Sequence, residues 1–392
     1  MLNQLKKKET QGIISIMKIL ICPDSFKGSL SAKEVANTIC LAMSKILPDA
    51  IFITSPMADG GEGTVDALLS GIGGKKYTVS VLDPLGRKIN AEYAILSDGT
   101  GVMEMACASG LPLLKTHEKN PLVTSTYGTG QMILEMVKKK VKHILVGVGG
   151  SATVDGGMGM AKALGVKFYS KSGKELKEGG GFLGRLAKID VSGINQDVLK
   201  TKITVLCDVN NPLTGQYGAS RIFGPQKGAT EQMVELLDSN LHHYATIIKK
   251  QLKKDVEFIP GAGAAGGLAA GLYAFLNAYL VEGAKYIAEK LNLEKHIKES
   301  DVIITGEGKI DSQVKFGKTI LPVIETAKKY QKPVIALCGQ KAKDTEFLRN
   351  AGLTAIFPIV PGPVSLEEAM KNAKAYLQDT AREIACLIKC FS

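Results

Sequence analysis

The chain of 392 residues is too long for one ordinary hydrophobic core, and its 45% hydrophobic content supplies enough apolar surface for two. No unbroken run of about 18 apolar residues occurs, which excludes a membrane-spanning helix. The net charge of +11 resides in lysine runs such as Lys138-Lys139-Lys140 and Lys249-Lys250. Without aromatic interleaving these exclude a nucleic-acid module and suit a solvated surface that favours anionic substrates.

Residues 1–16 read as a tail with no signal-peptide core or cleavage site, and Met17 is an alternative start. From Lys18 the order is strand, loop, helix. Ile19-Leu20-Ile21-Cys22 ends at Pro23, and Ser31 with Glu34 forms a capping box ahead of Val35, Ile39, Met43 and Leu47. A second strand at 51–54 precedes a helix containing Val65, Leu68 and Leu69. The same grammar returns late in the chain, with strands at 302–305, 334–337 and 355–359, a helix at 321–329, and Ser365 with Glu368 capping a closing helix. Five short apolar strands alternating with helices predict a parallel, doubly wound sheet.

The middle reads differently. Alternating stretches at 77–81, 89–95 and 101–105 predict antiparallel strands, followed by a helix at 131–140, strands at 144–148 and 204–207, and a long helix at 231–250. The apolar stretch 264–281, broken by Gly266, Gly267 and Gly271, reads as a buried helix. The expected organisation is a discontinuous domain of 17–75 with 291–392, and a second domain of 76–290 inserted into it.

In open α/β sheets ligands bind beyond the carboxyl ends of the strands. The segments there are Asp24-Ser25-Phe26-Lys27-Gly28-Ser29, Asp59-Gly60-Gly61-Glu62, Gly306-Glu307-Gly308-Lys309-Ile310-Asp311 and Cys338-Gly339-Gln340. The inserted part adds Gly149-Gly150-Ser151 through Asp155, Asp208 through Asn211, and Gly261 through Gly267. Backbone N–H groups at glycine-rich helix starts bind phosphate, lysines neutralise it, and carboxylates hold Mg²⁺ or take a hydroxyl proton. Singly, each has a bland reading: Asp24 and Asp155 as helix caps, the 261–267 glycines as packing, Lys27 and Lys309 as solvated charge. Only the joint pattern argues for phosphoryl transfer.

Two strings mislead. Gly261-x-Gly263-x-x-Gly266 matches a dinucleotide fingerprint, but Pro260 precedes it and no acidic residue ends a following strand. Gly317-Lys318-Thr319 resembles the end of a P-loop, but Ser312 stands where its first glycine belongs. Seven scattered cysteines without a CxxC pair indicate reduced thiols and a cytoplasmic setting, and the five histidines read as surface residues.

The ordered motifs PDSFKGSLSA, MADGGEGT, YGTGQ, GVGGSATVDGG, CDVNNPLTG, FGPQKGA, PGAGAAGGL and ITGEGKIDSQ resemble the bacterial type-1 glycerate kinases over nearly the whole chain from Met17. The resemblance implies an α/β fold: a flavodoxin-like doubly wound parallel domain with an inserted mixed α/β domain of restriction-enzyme-like fold. It implies Mg²⁺-dependent phosphorylation of D-glycerate by ATP in an interdomain cleft, at the 2-hydroxyl, with the 3-hydroxyl left open by the residues. In the mechanism it suggests, Lys27 holds the substrate carboxylate, with Asp24, Ser25, Ser29, Asp59 and Asn211 around the substrate. ATP phosphates lie against Gly149, Gly150 and Ser151 or Gly261, Gly263 and Gly266, with Gly306 and Lys309 nearby. Mg²⁺ takes one or two carboxylates among Asp59, Glu62, Glu307 and Asp311, and Asp208, or else Asp311, orients or deprotonates the hydroxyl. The protein would be a monomer or homodimer. The rival readings are an NAD-dependent hydroxy-acid dehydrogenase and a silent sugar-acid sensor, the latter expected to lack several of the carboxylates present here.

Overall fold

The computed structural model describes residues 16–311 and 319–391. The expected tail, apart from its last residue, and the Ser312-to-Lys318 part of the P-loop-like string lie outside the described residues.

Among the described residues thirteen strands form three sheets: β1 (Lys18–Ile21), β2 (Ile51–Thr54), β3 (Gly74–Leu82), β4 (Lys88–Leu96), β5 (Gly101–Glu104), β6 (His143–Gly147), β7 (Lys167–Ser170), β8 (Leu186–Asp190), β9 (Lys202–Leu206), β10 (Tyr279–Val281), β11 (Val302–Ile310), β12 (Val334–Lys341) and β13 (Ala355–Pro358). The first sheet has the order β13-β12-β11-β1-β2, all parallel, so strand order reverses beside β1. The second, β10-β9-β6-β5-β4-β3, is mixed: its β3, β4 and β5 meander is antiparallel and the rest parallel. β7 and β8 form a separate hairpin pair.

Strand periodicity decides which core each residue joins. Ile19 and Ile21 pack with Val35, Ile39 and Met43 of the helix Ala32–Ser44 and with Leu377 and Ile384 of the closing helix Ala373–Phe391. Leu20 points the other way, into a cluster shared by both sheets. That cluster joins Ile303 and Val334 to Leu96, Val102, Leu145 and Leu206, with Leu68 and Ile287 from the helices Thr64–Ile72 and Gly283–Lys290 between them. A third cluster, around Tyr93, Phe168 and Tyr244, fills the other face of the mixed sheet.

Several expectations need correction. β11 and β12 run on to Ile310 and Lys341, because Lys309 and Ile310 pair with Gln340 and Lys341; glycines read as loop are strand. The helix expected from 131 begins at Tyr127, and the apolar stretch 264–281 is a helix (Ala264–Leu276) followed by β10. Asn277 in the left-handed conformation ends that helix and turns the chain.

Candidate active site

The carboxyl ends of β1, β2, β11, β12 and β13 surround one cavity of about 720 Å³. Asp24, Ser25, Lys27, Ser29, Asp59, Glu307, Gly308, Lys309, Gly339 and Gln340 line one side, and an apolar wall from Ile359 to Ala373 lines the other. The four strand-end loops singled out in the sequence thus converge. A second cavity of about 340 Å³ shares Ser25, Lys27 and Ser29 with it and is walled by Glu62, Asp66, Lys76, Glu92, Glu104 and Cys107.

The β1 loop is built around Asp24. Its backbone N–H donates to Gly306 O at 2.8 Å, which carries the β1–β11 pairing one step beyond the strand. Its carboxylate accepts from Ser25 N at 2.5 Å and from the Thr319 hydroxyl at 2.6 Å. Burial, and then the Asp59 charge, push this carboxyl up to about 6 against the pull of those hydrogen bonds. Beyond it Phe26 and Leu30 exchange backbone hydrogen bonds, and Ser29 Oγ donates to Met370 O at 2.9 Å. Ser25 Oγ is buried and has no hydrogen-bond partner among the described residues. A buried orphan hydroxyl on a cavity wall is the kind of group a polar ligand satisfies.

Asp59 accepts from Gly61 N at 2.9 Å and faces Lys27 Nζ at 3.9 Å. Its loop is threaded under the mixed sheet: a Cβ on Gly60, whose φ is +88°, would lie 2.6 Å from Leu206 O. Only glycine fits there. On the far side Asp208, just past β9, accepts from Ala284 N at 3.1 Å and so caps the helix Gly283–Lys290 from another element. Burial, and then Asp59, push the Asp208 carboxyl up to about 8, with the helix-start N–H groups opposing. Asp59 and Asp208 are therefore two mutually repelling carboxylates at the meeting of the sheets. Lys309 pairs with Asp311 at 3.1 Å, so the two late-chain candidates neutralise each other at the end of β11.

The other expected residues separate into distinct positions. Glu62 is exposed and faces the smaller cavity, apart from Asp59 and Glu307. Gly306 lies beneath the site, where a Cβ would meet Leu337 O at 2.2 Å. Asn211 spends its side-chain amide on Tyr217 O at 2.8 Å. Gly263 presses on the Asn211–Pro212 backbone and Gly266 on Thr153 and Val154, while Gly261 backs onto Cys207 and Val209. Gly266, with φ +65°, is part of a left-handed stretch at the helix start that lets it sit 1.9 Å, measured from a would-be Cβ, from Thr153 O. These three glycines thus serve close backbone packing. Gly149 lies against Gly61, two residues from Asp59, and Gly150 is exposed beside it.

Ser151 reveals a residue the sequence reading did not single out. Its hydroxyl and Thr153 O both accept from Lys227 Nζ at 2.7 Å, and this lysine is 2% exposed. Burial pushes its ammonium down to about 7, opposed by Asp155. Asp155 accepts from Thr126 N, Thr126 Oγ1, Gly157 N and Gly159 N, which makes it a fully buried staple between loops. Glu104, also missed, accepts from Val65 N at 2.9 Å at the start of the helix Thr64–Ile72; burial above all pushes it up to about 7. The lysine lies in FGPQKGA, and the only sequence signal for it was that motif; nothing local marks a lysine as buried.

Among the described residues no group of three or more His, Cys, Asp or Glu side chains stands ready to cage a metal ion. Mg²⁺ bound by one or two carboxylates plus substrate phosphates needs no such cage. Hard oxygen donors at Asp59 and Glu307 on one cavity wall fit that mode.

Comparison with known proteins agrees with this architecture. The profile of the glycerate kinase family matches residues 19–389. The chain is 47% identical over 373 residues to glycerate 2-kinase of Escherichia coli (strain K12), covering 95% of this chain and 98% of that one. It is 45% identical over 374 residues to glycerate kinase of Bacillus subtilis (strain 168), covering 95% and 98%. The crystal structure of a candidate glycerate kinase 2 from Salmonella typhimurium LT2 superposes with a TM-score of 0.85 at 44% identity, covering 96% of this chain and 99% of that one. The chain is an enzyme of the kinase type and belongs to the glycerate kinase family.

Proposed function

We propose that this enzyme transfers the γ-phosphoryl group of ATP to the 2-hydroxyl of D-glycerate, giving 2-phosphoglycerate and ADP. The observation that carries the reading is the convergence of Asp24, Asp59 and Glu307 with Lys27 and Lys309 on one cavity at the strand ends. Phosphoryl transfer depends mainly on positioning and charge stabilisation, and these are the groups it uses. The relative from Escherichia coli carries the name glycerate 2-kinase, which supports the choice of hydroxyl.

In this reading Lys27 and the unpartnered Ser25 hydroxyl hold the glycerate carboxylate. Asp208, kept basic by burial and by Asp59, orients and accepts the proton of the attacking hydroxyl, and Lys309 faces the phosphates. Gly149 and Gly150 offer backbone to the phosphate end beside Gly61. Asp59 and Glu307 would hold Mg²⁺, which when bound neutralises charge developing on the phosphate oxygens. Seven free cysteines support a reducing, cytoplasmic setting, and among the described residues no helix is long and apolar enough to cross a membrane.

The test is a coupled assay of the purified protein with ATP, Mg²⁺ and D-glycerate. Enolase alone in the coupling system reports the 2-phosphate; phosphoglycerate mutase added with it also reports the 3-phosphate. Signal with enolase alone supports the proposal. Signal only with the mutase moves the reaction to the 3-hydroxyl, and absence of ADP formation from folded protein overturns the kinase assignment to glycerate.

A further inference from the structure

The main cavity has two chemistries. One side carries the charged groups of the strand-end loops; the other is a wall of Ile359, Val360, Val364, Leu366, Ala369 and Met370, supplied by the segment that follows β13 and by the helix Leu366–Lys371. Glycerate is a carboxylate with two hydroxyls and presents almost no apolar surface, and the transferred phosphoryl group presents none. A wall of six apolar side chains is therefore left without a use by the chemistry of the acceptor. Of the two substrates only the nucleotide has a flat apolar part, its base.

The size of the cavity agrees. About 720 Å³ lies within the roughly 300–1,000 Å³ range that holds drug-sized ligands, far more than a small hydroxy acid needs. The wall is also fixed relative to the charged loop. Ser29 Oγ donates to Met370 O at 2.9 Å, and a Cβ on Gly28 would meet Met370 Cε at 2.7 Å. Leu366 is 76% exposed at the rim, an apolar surface that a stacked ring would cover.

We infer that this wall is the nucleobase subsite, taking the purine ring of ATP with its phosphates running past Gly339 and Lys309 toward Lys27 and Asp59. The inference rests on the kinase reading and deepens it by naming where the donor is held. Of the inserted part's glycines, Gly149 and Gly150 then contribute, and at the phosphate end only. Gly149 touches the Asp59 loop at Gly61, so the reacting phosphate meets the second sheet there.

The experiment uses the full chain. ADP and pyrophosphate binding are measured by calorimetry, and KM for ATP and for glycerate by steady-state assay, in wild type, Ala369→Phe and Leu366→Ala. Ala369→Phe fills the wall and Leu366→Ala trims an exposed side chain, which leaves the fold intact. Each is expected to weaken ADP binding and raise KM for ATP by about tenfold or more. Pyrophosphate binding, KM for glycerate and kcat at saturating ATP stay near wild type. ADP affinity and ATP KM unchanged in both variants, or a rise in glycerate KM instead, overturns the subsite. Wild type that binds ADP in a manner sensitive to both variants, yet never phosphorylates glycerate, keeps the subsite and sinks the proposed acceptor.

Discussion

The Thr319 hydroxyl donates to Asp24 Oδ2 at 2.6 Å, tying the first strand-end loop to the start of a helix, Ile320–Lys329, that lies near the other end of the chain. The bond favours the ionised carboxylate, and burial opposes it, leaving Asp24 titrating at about 6. Thr319→Val removes the donor, so the Asp24 pKa rises further and more of the carboxyl is protonated at neutral pH. The acid limb of the kcat/KM profile is expected to move to higher pH, and Thr319→Ser to restore it. A limb that stays in place in Thr319→Val would detach Asp24 from turnover.

Asp208→Asn should separate activity from stability. As the proposed base its loss costs about 10²–10⁴-fold in kcat. Its folded pKa of about 8 lies above its ordinary value of 3.8, so the folded protein binds a proton that the unfolded chain releases. Wild type therefore loses stability as pH rises from about 4 to about 8, and the neutral amide does not. Thermal unfolding in EDTA is expected to show Asp208→Asn melting above wild type at pH 8, with the gap closing near pH 4. A variant less stable at pH 8 would count against the repulsion with Asp59.

Lys227 gives the opposite sign. Its folded pKa of about 7 lies below 10.5, so between those values the unfolded chain holds a proton the folded protein lacks. Stability of wild type relative to Lys227→Met should climb across that window by at most about 1.4 kcal/mol per pH unit, and stay flat below pH 7. Urea melts at pH 6, 7, 8.5 and 10 measure this. A constant difference would mean the lysine is charged throughout.

Gly60→Ala tests the threading of the Asp59 loop beneath β9. Left-handed backbone alone costs an alanine about 1–2 kcal/mol. Gly86 has a similar φ, +82°, with open space around it, whereas a Cβ on Gly60 would strike Leu206 O. Gly86→Ala should show only the backbone cost in urea unfolding, and Gly60→Ala distinctly more. Equal losses would show that the loop moves aside freely.

The parallel sheet and the convergence of its loops were legible because each is encoded locally. Ile19-Leu20-Ile21 alternates between two cores, and a glycine with a charged or polar residue stands at the carboxyl end of four of the five strands. Residues whose role depends on a distant partner were not legible. Lys227 is buried only because the 151–153 loop supplies two acceptors, and Thr319 matters only because Asp24 stands opposite. Asp155 reads from sequence as cap or ligand; Gly157 N and Gly159 N at the start of the helix Met158–Ala163 bear out the cap, and the two donors of Thr126 make it a staple as well. Local spacing also hid the length of β11 and β12, since the strand pairing runs on past their glycines, with Gly306 opposite Leu337 and Lys309 opposite Gln340. The Gly261–Gly266 string shows the converse, a familiar pattern whose glycines are required by neighbouring backbone.

The pairing of β1 with β11 has a consequence for biosynthesis. When β1 and β2 leave the ribosome they have only each other, and the strand that covers β1 on its second side begins at Val302. At roughly 5–20 residues per second that partner follows on the order of tens of seconds later. For that interval the nascent chain carries an uncovered apolar edge, Ile19-Leu20-Ile21, while the whole mixed sheet can be completed behind it. The order of synthesis thus makes the late strands the closing step of folding, and leaves the charged loop after β1 unassembled until the chain beyond Val302 has emerged.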